Sequence, residues 1–178
     1  LNEYQMRMRM GDIYVEVLEY PLANAETKAD IDNFRFPDPY APGRFRDAEA
    51  LLAKYKNEYF IIGDIEVTVF SLGHQLVGME KLLIDMMLET EYVIPLFEAC
   101  ADYQTKTGLE LIKRGVDAIW FGDDFGTQLS LIISPETFRS QLKPIYKKMV
   151  DTFKQANPDI IPILHCDGAV AELLDDIK

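Results

Sequence analysis

The sequence predicts an α/β protein, part of a (β/α)8 TIM barrel with an additional β-hairpin near the N-terminus. Three short apolar runs, starting at Tyr59, Asp117 and Ile160, are each followed by apolar residues at helical spacing. Three successive βα units imply a parallel sheet with right-handed crossovers. Each run also ends in acidic or polar residues, where barrels and open parallel sheets place their chemistry. No Gly-x-Gly-x-x-Gly follows any run, which removes the main reason to read a dinucleotide-binding sheet.

Residues 4 to 18 alternate, with Met6, Met8 and Met10 on one face, a two-residue Gly11-Asp12 loop, then Ile13, Val15 and Val17. That pattern is a β-hairpin. From Pro21 to Arg46 the chain holds Pro21, Pro37, Pro39, Pro42 and Gly43, which keep it out of a long helix. Phe34, Phe36, Tyr40 and Phe45 in the same stretch make it an ordered loop. A short helix with Leu51, Leu52 and Tyr55 on its apolar side follows. The strand Tyr59 to Gly63 leads into a helix carrying Leu76, Met79, Leu83 and Met86. The next helix carries Val93, Leu96, Phe97, Cys100, Leu111 and Ile112 and closes at Gly115 after Lys113 and Arg114, as cations and glycine close helices. After the strand Asp117 to Phe121, Ser134-Pro135 sets an N-cap with proline in the first turn. Its helix carries Phe138, Leu142, Ile145, Met149, Val150 and Phe153, with Pro144 expected to kink or divide it. The strand Ile160 to Leu164 precedes a helix with Val170, Leu173, Leu174 and Ile177.

The 178 residues, 48% hydrophobic and 27% charged, suit one domain with one core. Residues 1–57 supply the hairpin and the long Pro-rich loop, and residues 58–178 the consecutive βα units. A complete barrel takes roughly 250 residues, so the chain reads as the central portion of a longer barrel. Half a barrel leaves sheet edges unpaired, and self-association into a homodimer is expected of it. Thirty Asp and Glu against 18 Lys and Arg give a net charge of −12. Such a field repels phosphate backbones and anionic lipid, excluding nucleic acid and membranes as partners and leaving a small molecule. Two cysteines, Cys100 and Cys166, make no disulfide framework, and with no signal segment the expected setting is cytoplasmic.

The candidate site residues lie directly after the three strands. The first offers Asp64 and Glu66, the second Asp123, Asp124, Gly126 and Gln128, the third His165, Cys166 and Asp167. Asp123, Asp124 and His165 are the candidate catalytic residues; Asp64, Glu66, Gln128 and Gly126 are the candidate substrate contacts. Asp123 and Asp124 are adjacent, so on extended backbone only one faces the barrel mouth. His165 and Asp167 share a face and offer two metal-ligating or acid/base groups, although Asp167 can equally cap the last helix. Cys166 points the other way, has no cation beside it in sequence, and reads as a packed thiol. His74 reads as structural or exposed. Cys100, Met79, Met86, Met87 and Met149 read as core, and Glu89, Glu91, Asp102 and Glu110 as a solvated face.

Six segments taken in order resemble the uroporphyrinogen decarboxylase superfamily, which includes decarboxylases and cobalamin-linked methyltransferases. They are Tyr20-Pro21-Leu22, Phe36-Pro37-Asp38-Pro39, Gly115-Val116-Asp117, Gly122-Asp123-Asp124-Phe125-Gly126, Ile133-Ser134-Pro135-Glu136 and His165-Cys166-Asp167-Gly168. The resemblance implies a (β/α)8 barrel of which this chain holds the middle strands. For the methyltransferase branch it implies corrinoid-linked methyl transfer or demethylation of a small methylated compound, a corrinoid protein as partner, and zinc held by a His, a Cys two residues on and a distant second Cys. His165 matches the first of these. Asp167 stands where the Cys is expected, making a harder ligand pair. For the decarboxylase branch the resemblance implies uroporphyrinogen III as tetrapyrrole substrate in haem biosynthesis and no cofactor. The arginine-bearing N-terminal decarboxylase signature is absent from these residues. A non-catalytic corrinoid or tetrapyrrole binding protein is the third reading.

Overall fold

The computed structural model describes residues 1–178. Strands β1 (Arg7–Met10) and β2 (Val15–Glu19) form an antiparallel hairpin with Met8 opposite Val17 and Met10 opposite Val15. The connection is four residues, Gly11 to Tyr14, rather than the expected two, closed by the Gly11 N–H donating to the Tyr14 carbonyl at 2.9 Å. Gly11 itself occupies the turn because a Cβ there would lie 2.9 Å from Glu16 Oε1 and from the Tyr14 carbonyl. The hairpin stands clear of the core, with Met8, Met10 and Val15 exposed; Met6, just before it, is buried.

The Pro-rich stretch is ordered, as its aromatic content predicts. Phe34 meets Phe36 edge-on at 5.1 Å and Phe36 stacks on Tyr103 at 6.1 Å. It also contains a short helix, α1 (Lys28–Asp32), whose Thr27 and Asp30 make a capping box. In α2 (Arg46–Tyr55) only Leu52 is buried; Leu51 joins Tyr55, Tyr59, Phe60, Ile61 and Ile62 in an exposed apolar groove.

The central sheet is parallel, in the order β3 (Ile62–Asp64), β4 (Ala118–Gly122), β5 (Ile161–His165). Strand β3 is shorter than the apolar run from Tyr59 predicts, because its pairing with β4 begins only at Ile62 opposite Ala118. Tyr59 and Phe60 are exposed. The expected single helix after β3 is two, α3 (Phe70–Val77) and α4 (Met79–Met87). Gly78 separates them at φ +103°, a conformation that ends a helix and that glycine adopts without strain. Met87, expected in the core, is 84% exposed at the end of α4.

Helix α5 (Val93–Arg114) ends as expected, with Gly115 left-handed at φ +96° after Lys113 and Arg114. Ser134 Oγ accepts from the Thr137 N–H at 3.1 Å, opening the short α6 (Pro135–Thr137). A π turn, Phe138–Leu142, then widens the ladder before α7 (Lys143–Ala156). Pro144 has no N–H to return one turn back, which divides the helix there. The chain closes with a 3-10 turn (Ala171–Leu173) and α8 (Leu174–Ile177).

Alternation within the sheet decides where chemistry can sit. Gly63, Ile119 and Phe121 face the helices, where Gly63 abuts Leu111 of α5 and Phe121 packs on Tyr146 and Phe153 of α7. The opposite face carries Asp64, Trp120 and His165, with Ile62 and Ile161 about half exposed. A parallel sheet is ordinarily covered on both faces; this one is covered on one. No helix of the protein is long and apolar enough to cross a membrane.

Candidate functional site

His165 is the last residue of β5, on the open face of the sheet, with its side chain 26% exposed. Its ring stacks on Trp120 of the neighbouring strand, with centroids 5.3 Å apart and planes 24° from parallel. Three carboxylates surround its Nε2: Glu66 Oε1 at 3.4 Å, Asp167 Oδ1 at 3.7 Å and Asp124 Oδ1 at 3.8 Å. Each strand therefore contributes from its C-terminal end.

The carboxylates are held by their own loops. Glu66 Oε2 accepts from the Trp120 indole N–H at 3.0 Å. The Glu66 backbone N–H donates to Asp64 Oδ1 at 2.8 Å, a turn in which Asp64 orients its neighbour. Asp124 Oδ1 accepts from the Asp167 N–H at 2.9 Å, joining the second and third loops. Asp167 does not cap the last helix, since Val170 precedes that turn. Gly122 makes the close approach of β4 and β5 possible: a Cβ there would fall 2.0 Å from the His165 carbonyl oxygen.

Of the two adjacent aspartates, Asp124 is the one at the rim. Asp123 is 2% exposed and turned into the helix layer. Its Oδ1 accepts from the backbone N–H groups of Thr68 at 3.1 Å and Ser71 at 2.7 Å; its Oδ2 accepts from Val69 N–H at 2.8 Å and from the Tyr146 hydroxyl. Burial raises its carboxyl above the usual value, with the Tyr146, Val69 and Ser71 donors pulling it back. Gly126 is packed against the Gly168 and Ala169 backbone. Gln128 is exposed on the Thr127–Ser130 turn, outside the group around His165. Cys166 faces inward and its sulfur accepts from the Phe125 N–H at 3.3 Å; burial pushes its thiol up, with Asp124, Asp123 and Asp167 adding to the rise. His74 packs edge-on against Phe70, and burial holds it below its ordinary value.

Trp120, Thr68, Gln104 and Tyr146 escape a reading of strand-end motifs. For Trp120 a signal exists, because residues 118, 120 and 122 alternate onto the face that ends at the rim. Thr68, Gln104 and Tyr146 have none, since the partners that tie them to the site are 23 to 55 residues away in sequence.

Asp124, His165 and Asp167 are the group suited to a metal ion, their ligand atoms lying within 4.8 Å of one another. One imidazole and two carboxylates form a donor set for a borderline or hard divalent cation, and Glu66 stands beside it.

Parallel βα units with polar side chains gathered beyond the strands' C-terminal ends define the class of α/β proteins whose sites lie on that rim. The family model of uroporphyrinogen decarboxylase (URO-D) matches residues 6–178, and the chain belongs to this family. Among solved structures it resembles a methyltransferase from Methanosarcina mazei with a TM-score of 0.71 at 18% identity, covering 98% of this chain and 50% of that one. At that identity the likeness is one of fold, and this chain spans half the length of that protein. Among curated proteins none matches the chain.

Proposed function

We propose that this chain is the central portion of a (β/α)8 barrel enzyme that carries out corrinoid-linked methyl transfer or demethylation of a small methylated compound at the His165 rim. The carrying observation is the chemistry around His165: its charged neighbours are Glu66, Asp124 and Asp167, all acidic. A polycarboxylate tetrapyrrole meets repulsion there, which ranks uroporphyrinogen decarboxylation second. The one-sided sheet and its half-exposed Ile62 and Ile161 support further strands completing a barrel.

In this reading Trp120 is the floor of the site and holds the imidazole plane by stacking. Glu66 accepts the indole N–H on one oxygen and presents the other to His165 Nε2 at 3.4 Å. Asp124 and Asp167 are exposed and linked, free to take a proton from an incoming nucleophile or to neutralise a cation. A divalent ion, when bound by Asp124, His165 and Asp167, supplies Lewis-acid activation of a thiol or hydroxyl acceptor. A corrinoid partner, when bound at this rim, would supply the methyl-carrying chemistry. Cytoplasmic residence accords with two free cysteines.

The intact protein mixed with methylcobalamin and a small thiol tests the proposal by its visible spectrum. Methyl transfer changes the cobalt absorption with turnover. A spectrum that shifts on binding and then stays constant overturns it in favour of a corrinoid-holding protein, and decarboxylation of uroporphyrinogen in parallel assays overturns it in favour of the second branch.

A further inference from the structure

The loop between β3 and α3 is held more firmly than a connection requires. Val67 lies at φ +63°, in the left-handed region where a β-branched residue is strained. Its carbonyl accepts from Gln104 Nε2 at 2.9 Å, and Gln104, on α5, is 5% exposed. The next residue, Thr68, is fully buried; its hydroxyl donates to the Ile65 carbonyl at 3.1 Å and accepts from the Gly122 N–H at 2.9 Å. Asp123 then binds the N–H groups of Thr68, Val69 and Ser71. Burying polar side chains costs free energy unless each is paired, and here three buried side chains bind the backbone of Ile65, Val67, Thr68, Val69 and Ser71. The residue they bracket is Glu66, whose side chain reaches both Trp120 and His165.

We infer that Gln104, Thr68 and Asp123 are positioning residues: they hold the strained Val67 turn so that Glu66 keeps its contacts with the Trp120 indole and the His165 ring. The functional meaning rests on the His165 rim being the reactive site; the readout below does not depend on that. Strain persists only where the surroundings over-determine it. Releasing any one tie lets Val67 relax and swings Glu66 away from the floor of the site.

Trp120 is the single tryptophan of these 178 residues; its indole N–H signal in the intact 15N-labelled protein, assigned by its loss in Trp120→Phe, reports the proton shared with Glu66. Glu66→Ala defines the released state. Gln104→Met and Thr68→Val are each expected to move the indole signal toward the Glu66→Ala position and to speed its solvent exchange at least tenfold. Adding either to Glu66→Ala should change nothing more, and Thr68→Ser should restore the wild-type signal. Thr68→Val changes shape least and decides the matter if Gln104→Met does not fold. An indole signal unmoved by Thr68→Val while Glu66→Ala moves it overturns the inference; so do effects that add to those of Glu66→Ala, which mark a general structural role. Absence of methyl transfer in the wild type, with the indole pattern as expected, counts against the rim reading alone.

Discussion

Replacing Asp123 by Asn should destabilise the protein by about 2–4 kcal/mol while preserving volume. The magnitude follows from which donor meets which oxygen. Thr68 and Ser71 N–H groups meet Oδ1, and the Asn carbonyl oxygen can serve both; Val69 N–H and the Tyr146 hydroxyl meet Oδ2. An amide nitrogen in the Oδ2 position is itself a donor. The Tyr146 hydroxyl can rotate and accept from it, but the Val69 N–H cannot, and a buried unpaired donor costs about 1–3 kcal/mol. The lost charge assistance on the other bonds adds about 1 kcal/mol more. Urea denaturation of the intact protein, wild type against Asp123→Asn, reads the difference at constant slope. A loss under about 0.5 kcal/mol would mean that Asp123 does not bind these donors together, and the burial argument would fail.

Three further outcomes follow from the same structure. Gly122→Ala places a methyl 2.0 Å from the His165 carbonyl oxygen and should cost about 3 kcal/mol by forcing β4 and β5 apart; a thermal melt within a degree of wild type refutes the close approach. Burial holds His74 below its ordinary 6.5, so the unfolded chain takes up the proton first and stability should decline as pH falls below 6.5 through the lower folded value. His74→Gln should flatten that part of the stability–pH curve, and an unchanged curve contradicts it. The raised thiol of Cys166 should alkylate with iodoacetamide at pH 8 more slowly than a free cysteine; labelling at or above the free rate contradicts it.

The parts of the fold that could be read from sequence are those governed by neighbours along the chain. Apolar runs and helical spacing locate the three βα units, and the closure of α5 at Gly115 follows from Lys113, Arg114 and glycine chemistry. Gly78 shows the limit: the apolar spacing of Leu76, Met79, Leu83 and Met86 runs through it unbroken, and only its positive φ reveals two helices. Met87 falls at the end of α4 with nothing packed over it. At the site, strand-end position brought Asp64, Glu66, Asp124, His165 and Asp167 to one rim. Alternation left Asp123 and Asp124 as alternatives, and the choice is made by Tyr146 and the Thr68–Ser71 amides, which no local pattern connects to Asp123. Trp120 was legible as a strand residue but not as the floor beneath His165, because stacking depends on the register of β4 with β5.

The central claim is that the acidic rim around His165 carries the chemistry. The measurement closest to it is the rate of methyl transfer from methylcobalamin to a thiol by the intact protein, compared across wild type, Asp124→Asn, His165→Ala and Cys166→Ala. Loss of a group acting directly on the reacting atoms costs typically about 10²–10⁴ in rate, so Asp124→Asn and His165→Ala should each fall by about 10²-fold or more while Cys166→Ala stays near wild type. Wild-type turnover in both rim variants together with a dead Cys166→Ala would contradict the account and assign the reaction to a thiolate.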